Sequence, residues 1–209
     1  MKKALIIVAI FIVLVLGVTG VIAMKALGTY NGIIGAQEDV KAKWAQVQNV
    51  YQRRTDLIPN LAATVEGYAK HESSTLTEVA QARSQMGGVV KLDEAMMRDP
   101  VAMQRFQQAQ STFAGGLQRL MMVTEKYPDL KANEQFNAMM VQLEVTENRI
   151  SVERGRYNES VQAFNTMVRQ FPANLVAGFM QVTPFITFEA SAAAQEAPKV
   201  QFNTGANGK

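Results

Sequence analysis

Cysteine is absent from the 209 residues, and histidine occurs once, at position 71. The first absence excludes disulfides, thiol nucleophiles, thiolate metal sites and lipid attachment through sulfur. The second removes the main ingredient of most zinc sites and of histidine acid/base chemistry. Like charges do not cluster: 21 Lys and Arg against 18 Asp and Glu give a net charge of +3 without a block of five or six of one sign. A nucleic-acid footprint is therefore not indicated. No phosphate loop, dinucleotide-binding glycine motif or Gly-x-Ser-x-Gly elbow occurs. A carboxylate-bridged di-metal site in a helical bundle needs two Glu-x-x-His pairs, and Tyr68 stands three residues before His71. His71-Glu72 also lacks the second histidine of a zincin. The chain is expected to be no enzyme, with no metal and no cofactor.

Long hydrophobic runs, by contrast, are present. After Met1-Lys2-Lys3, residues Ala4 to Met24 contain no charge over 21 positions. At ~1.5 Å per residue they span roughly 30 Å, the hydrocarbon thickness of a bilayer. A cleaved signal peptide would carry a shorter apolar region, about 7–15 residues, and a small-x-small site. Ile22-Ala23-Met24-Lys25-Ala26 fits that poorly, so an uncleaved anchor is expected. Lys2, Lys3 and the N-terminal amine precede the span, and Lys25 stands alone after it, which favours a cytoplasmic N-terminus.

Beyond the junction, steps of three and four dominate. Tyr30, Ile33, Gln37, Val40, Trp44, Val47, Tyr51, Arg54 and Ile58 form one seam with the 3.5-residue period of a coiled coil. If continuous with the anchor, residues 4–58 make one rod of ~80 Å. A second run starts at Leu61 and ends at Gly87-Gly88. Between them Asp56 reads as an N-cap and Pro59 as a first-turn residue, predicting a helix corner at QRRTDLIPNL. Asp99-Pro100 opens a third helix along Met103, Phe106, Phe113, Leu117 and Leu120. A fourth runs from Phe136 to Phe171 and stops before Pro172. Segments 182–188 and 199–202 look strand-like, and they would pair with each other, lie along the helices or augment a neighbouring copy. The expected fold is all-α: a transmembrane helix running into an antiparallel four-helix bundle, with a short extended C-terminal tail. The divisions predicted are 1–28 anchor and junction, 29–180 bundle and 181–209 tail.

Polar residues interrupt or flank the seams at Arg54, Glu72, Arg83, Glu153 and Arg154, with Asn158 and Asn165 seven apart beside the last one. An interior Arg54, Arg83 or Arg154 would need a carboxylate such as Glu72, Glu125 or Glu147, because an unpaired buried charge costs several kcal/mol. Three readings stand: an ion-binding or catalytic constellation, a register-setting polar layer, or solvated seam edges. The layer is the reading carried forward, with Arg54 paired to a carboxylate such as Glu72.

Tyr30-Asn31, RRTDLIPNL (53–61), GYAKHE (67–72), Ala82-Arg83, EKYPDLKAN (125–133), ENRISVERGRYNESVQAFN (147–165), Phe171-Pro172 and APKVQF (197–202) together resemble the LemA family. The resemblance covers residues 30–202. It implies a bacterial membrane protein with one N-terminal span and a long-helix bundle outside the cytoplasm, and no known catalytic residues. A LemA-like protein is associated with magnetosome membrane formation, which implies a part in membrane organisation.

The expectation is therefore a structural protein of the cell envelope, single-pass in the inner membrane, with its bundle periplasmic or extracellular. Its partners would be the lipid bilayer and further copies of itself, forming a homo-oligomer. An adaptor binding a membrane-protein partner is the runner-up, and an envelope enzyme using the Glu/Arg cluster comes third.

Overall fold

The computed structural model describes residues 2–68, 77, 94–124 and 132–189. These carry helices α1 (Lys2–Tyr68), α2 (Pro100–Thr124), α3 (Glu134–Arg169) and the short α4 (Ala173–Phe179), with a 3-10 turn at Glu94–Arg98. No strand occurs among the described residues.

Helix α1 is 67 residues long, ~100 Å without a break. From Ile6 to Gly28 every residue of described burial is exposed, and this part is apolar and long enough to cross a membrane. The Thr19 hydroxyl donates to the Val15 carbonyl at 2.8 Å, so it needs no water there. Further along, the same helix becomes the spine of a packed body. Ile33, Val40, Trp44, Val47, Tyr51, Arg54, Ile58 and Leu61 are all buried. The 3–4 stepping predicts this seam, although Tyr30, its first step, is exposed.

The predicted corner is not there. α1 runs through Pro59 to Tyr68, and Asp56 caps nothing. Its Oδ1 accepts from Gln52 Nε2 at 2.8 Å, one turn earlier on the same helix. Proline inside a helix costs ~3 kcal/mol. Continuing the helix keeps Ile58 and Leu61 on the buried face, at 1 % exposure each, and each buried side chain of this size returns ~1.5–3 kcal/mol. Packing outweighs the lost hydrogen bond.

Helices α2 and α3 have the expected starts. Asp99 Oδ1 accepts from Val101 N at 2.9 Å and Ala102 N at 3.1 Å, with Pro100 at the first helical position. Asn133 Oδ1 accepts from Phe136 N at 2.9 Å. On α3 the buried positions Phe136, Leu143, Thr146, Ile150, Tyr157, Val161, Phe164 and Val168 follow the heptad. Phe171 does not, because α3 ends at Arg169 and the chain turns into α4, leaving that ring exposed.

Directions follow from side-chain pairs. Trp44 meets Tyr157 at 5.0 Å between ring centroids, while Arg54 meets Glu147, so α1 and α3 run antiparallel. Trp44 and Tyr51 both touch Phe106, and Arg54 lies over Phe113, so α1 and α2 run parallel. After α4, Gln181 takes a left-handed φ of 53° and the chain turns back along α3 as an extended segment, 182–189. That segment is more than a tail: Phe185 and Phe188 are buried in the same core as Trp44, Phe106 and Tyr157.

Candidate functional site

Two polar constellations stand out against this core. The first is centred on Arg54, 2 % exposed in the middle of the α1 seam. Its Nη1 donates to Glu147 Oε1 at 2.8 Å, and its Nη2 donates to Gln110 Oε1. The guanidinium also lies 4.3 Å from the Phe113 ring centroid and 4.9 Å from that of Tyr51. The planar fork thus joins all three long helices, a job that a lysine point charge does less well. Burial pushes the Tyr51 phenol above its ordinary value, and the charges of Arg154 and Arg54 offset part of that rise.

Among the described residues Glu147 is the carboxylate paired with Arg54, and its side chain is 38 % exposed, so the pair is not fully removed from water. Glu72, Arg83 and Glu125, the other charges expected in this layer, lie outside the described residues, as does His71. Gln110 is the member that the sequence reading missed. It sits on α2 between Phe106 and Phe113 at steps of four and three, so the periodicity marks it, although its polarity argues the other way. Its Nε2 is buried without a hydrogen-bond partner. The cluster opens into a cleft of about 680 Å³ bordered by Gln104, Gln107, Ser111, Arg154 and Glu189.

The second constellation holds the extended segment. Asn158 Nδ2 donates to Phe188 O at 2.9 Å, and Phe188 N donates to Asn158 Oδ1 at 2.8 Å. Asn165 repeats this on Phe185, at 2.8 Å and 3.0 Å. Seven helical residues advance ~10.5 Å and three extended residues ~10 Å, so two asparagines one heptad apart match every third residue of a strand. Each amide replaces one rung of a sheet.

Further groups complete the seat. Tyr157 Oη donates to Ile186 O at 2.9 Å, and Ile186 N donates to Met97 O at 2.9 Å from the 3-10 turn. Arg154 donates to Glu189 O at 3.2 Å with its guanidinium 4.7 Å from the Phe188 centroid. Arg98 lies 4.2 Å from the Phe185 centroid. Burial pushes the Tyr157 phenol far up, with the Arg98 charge opposing weakly. Arg154, Asn158 and Asn165, expected in one layer with Arg54, thus serve mainly to seat a segment of the chain itself.

In both constellations the polar groups are engaged within the chain: the arginine with a carboxylate, the asparagines with backbone, and burial favours the neutral form of both tyrosines. Among the described residues no group of three or more His, Asp or Glu is arranged to hold a metal ion.

The LemA family model matches residues 43–202. Over 184 residues the chain is 28% identical to the magnetosome protein MamQ 1 of Paramagnetospirillum magneticum, covering 81% of this chain and 67% of that one. MamQ of Magnetospirillum gryphiswaldense is 26% identical over 75% of this chain and 64% of its own length. The protein LemA of Metamycoplasma hominis is 24% identical, over 87% and 78% respectively. The chain spans about two thirds of the length of these magnetosome proteins.

Proposed function

This chain belongs to the LemA family, and from that premise we propose that it is a non-catalytic structural protein of the bacterial cell envelope. In this reading α1 anchors it in the inner membrane, the body stands outside the cytoplasm as an antiparallel four-helix bundle, and copies self-assemble to organise the membrane beneath them. The observation that carries the reading is the continuity of α1. One helix supplies first an exposed apolar span and then the buried seam from Ile33 to Leu61. A body built on the same helix as its anchor cannot swivel freely, and a fixed orientation to the membrane is what a scaffold requires. The magnetosome proteins among the relatives are named for a membrane organelle, which supports the same direction.

Extraction of the full chain from membranes into mild detergent, followed by native mass measurement and electron microscopy, tests the reading. Assemblies of defined copy number are the expected result. Release by alkaline washing alone, or a strictly monomeric particle without a co-purifying partner, overturns it.

The cleft beside Arg54 favours a second reading, an adaptor that holds a membrane-protein partner. The buried Gln110 Nε2, which has no hydrogen-bond partner, and neighbouring Gln104 and Gln107 offer donors suited to a peptide backbone. Crosslinking in cells through position 107 distinguishes the two: one dominant foreign protein supports the adaptor, and self-crosslinks support the scaffold.

A further inference from the structure

The turn between α3 and the extended segment exposes large apolar side chains. Phe171 is 80 % exposed, Leu175 65 % and Phe179 93 %. Leu175 and Phe179, four apart on α4, share one side of it, while Ala177 is buried on the other and Val176 and Met180 pack against the core; Phe171 is exposed in the turn just before. Three such side chains in a row are not the scattered exposure normal for a surface.

Their place along α1 says what lies beyond them. The antiparallel pairs Arg54–Glu147 and Trp44–Tyr157 set α1 against α3 with position numbers that sum to 201. Extended to the end of α3, Arg169 falls level with position 32, and Ile33, Val168 and Ala177 do share one core. Ile33 is nine residues past Met24, ~13 Å along the axis, and Phe171 follows the end of α3 by two residues, in the turn that leads into α4. The headgroup layer extends ~5–8 Å beyond the hydrocarbon. A helix and its outward side chains together have a radius of ~5–6 Å. The turn is the end of the body nearest the bilayer, and its apolar face points away from the core.

Charge agrees with position. Between Glu159 and Glu189 the only charged side chain is Arg169, and no carboxylate precedes Glu38 on α1. On α1 between the span and Glu38, and along residues 160–188, the charged side chains are therefore cations, Lys25 and Arg169, which anionic headgroups attract. On the α1 side of the same level, Leu27, Tyr30 and Ile34 are also exposed.

We infer that Phe171, Leu175 and Phe179 insert into the headgroup–acyl boundary of the same bilayer that α1 crosses. They form a second, monotopic contact that fixes the tilt of the body on its anchor. The inference rests on the proposed function in one respect, that α1 spans the membrane.

The absence of cysteine makes a clean test possible. Glycines at 17, 155 and 178 are exposed, and a Cβ at any of them meets nothing within 4 Å. Single variants of the full chain, Gly17→Cys, Gly155→Cys and Gly178→Cys, are spin-labelled and placed in phosphatidylcholine–phosphatidylglycerol vesicles. Collisions with oxygen and a water-soluble nickel chelate then report depth. Position 17 should be deep and position 155 aqueous. At position 178 nickel access should fall about fivefold relative to 155, as for an interfacial helix. Adding Phe171→Ser, Leu175→Ser and Phe179→Ser to Gly178→Cys should restore nickel access, with the unfolding temperature unchanged because all three side chains are exposed. A deep position 17 with an aqueous 178 overturns this inference and leaves the span intact. An aqueous position 17 overturns both. Spin–spin broadening at 178, showing a second copy seated on the face, also overturns it.

Discussion

Asn158 and Phe188 exchange two hydrogen bonds, the asparagine amide taking both polar groups of one residue of backbone. Asn165 does the same for Phe185. A primary amide carries donor and acceptor side by side, as an extended residue does, so an asparagine on a helix can stand in for a strand. The packing that this enforces is aromatic: Phe188 lies 5.6 Å from Trp44 and 5.4 Å from Tyr157 between ring centroids.

Asn158→Ala and Asn165→Ala should therefore each destabilise the full chain by about 1–3 kcal/mol, because buried backbone groups lose their partners. The double variant should cost less than the sum, since one lost clamp already frees part of the segment that the other holds. Chemical unfolding in detergent measures this, with protease cleavage within 182–189 as a local readout. Strict additivity would mean that the two clamps do not share one segment.

At Arg54 the expected outcome is a ranking. Arg54→Lys keeps the charge but cannot serve Glu147 and Gln110 with one fork, and should cost about 1.5–3 kcal/mol. Arg54→Met with Gln110→Leu replaces the buried polar pair by apolar volume, while Glu147, already partly exposed, turns to water. That double variant should come within about 1.5 kcal/mol of the parent. Thermal unfolding decides, and the reverse order would give Arg54 a role that packing and charge do not explain.

Tyr157 makes alkaline stability informative. Its folded pKa lies above the unfolded one, with burial as the first cause, and the unfolded phenol ionises near ~10. The stability it contributes is therefore complete below about pH 10 and is lost as pH rises toward the folded value. Its hydrogen bond to Ile186 O also needs the proton. The stability gap between the parent and Tyr157→Phe should be constant from pH 7 to 9 and shrink above 10. Parallel curves across that range would show that the phenol ionises equally well in the folded state.

The seams were legible because burial repeats every 3.5 residues: Ile33, Val40, Trp44, Val47 and Tyr51 are apolar at each buried step they occupy. Arg54 was legible as the one charge on that stripe. Glu147 stands among its candidate carboxylates in the sequence, but the pairing seen at 2.8 Å depends on the relative shift of α1 and α3, and no local pattern sets that. Asn158 and Asn165 were visible as a pair seven apart, yet their partners lie 20 and 30 residues away in a segment with no helical period. Gln110 was hidden by its own polarity. Phe171 continues the seam's spacing in the sequence yet lies outside α3, because periodicity carries no information on where a helix ends.

Pro59 departs from its local chemistry for a related reason. Local chemistry at QRRTDLIPNL favours a helix start, with an acid before a proline, but tertiary packing of Ile58 and Leu61 overrides it. In a continuous helix proline is the least suitable residue, so Pro59→Ala should raise stability by about 1–3 kcal/mol by restoring one hydrogen bond and removing a clash with the Thr55 carbonyl. At a true corner, the same change would lose a favourable first-turn proline and lower stability. Unfolding of the full chain in detergent gives the sign directly, and a loss would return the corner to Asp56 and Pro59.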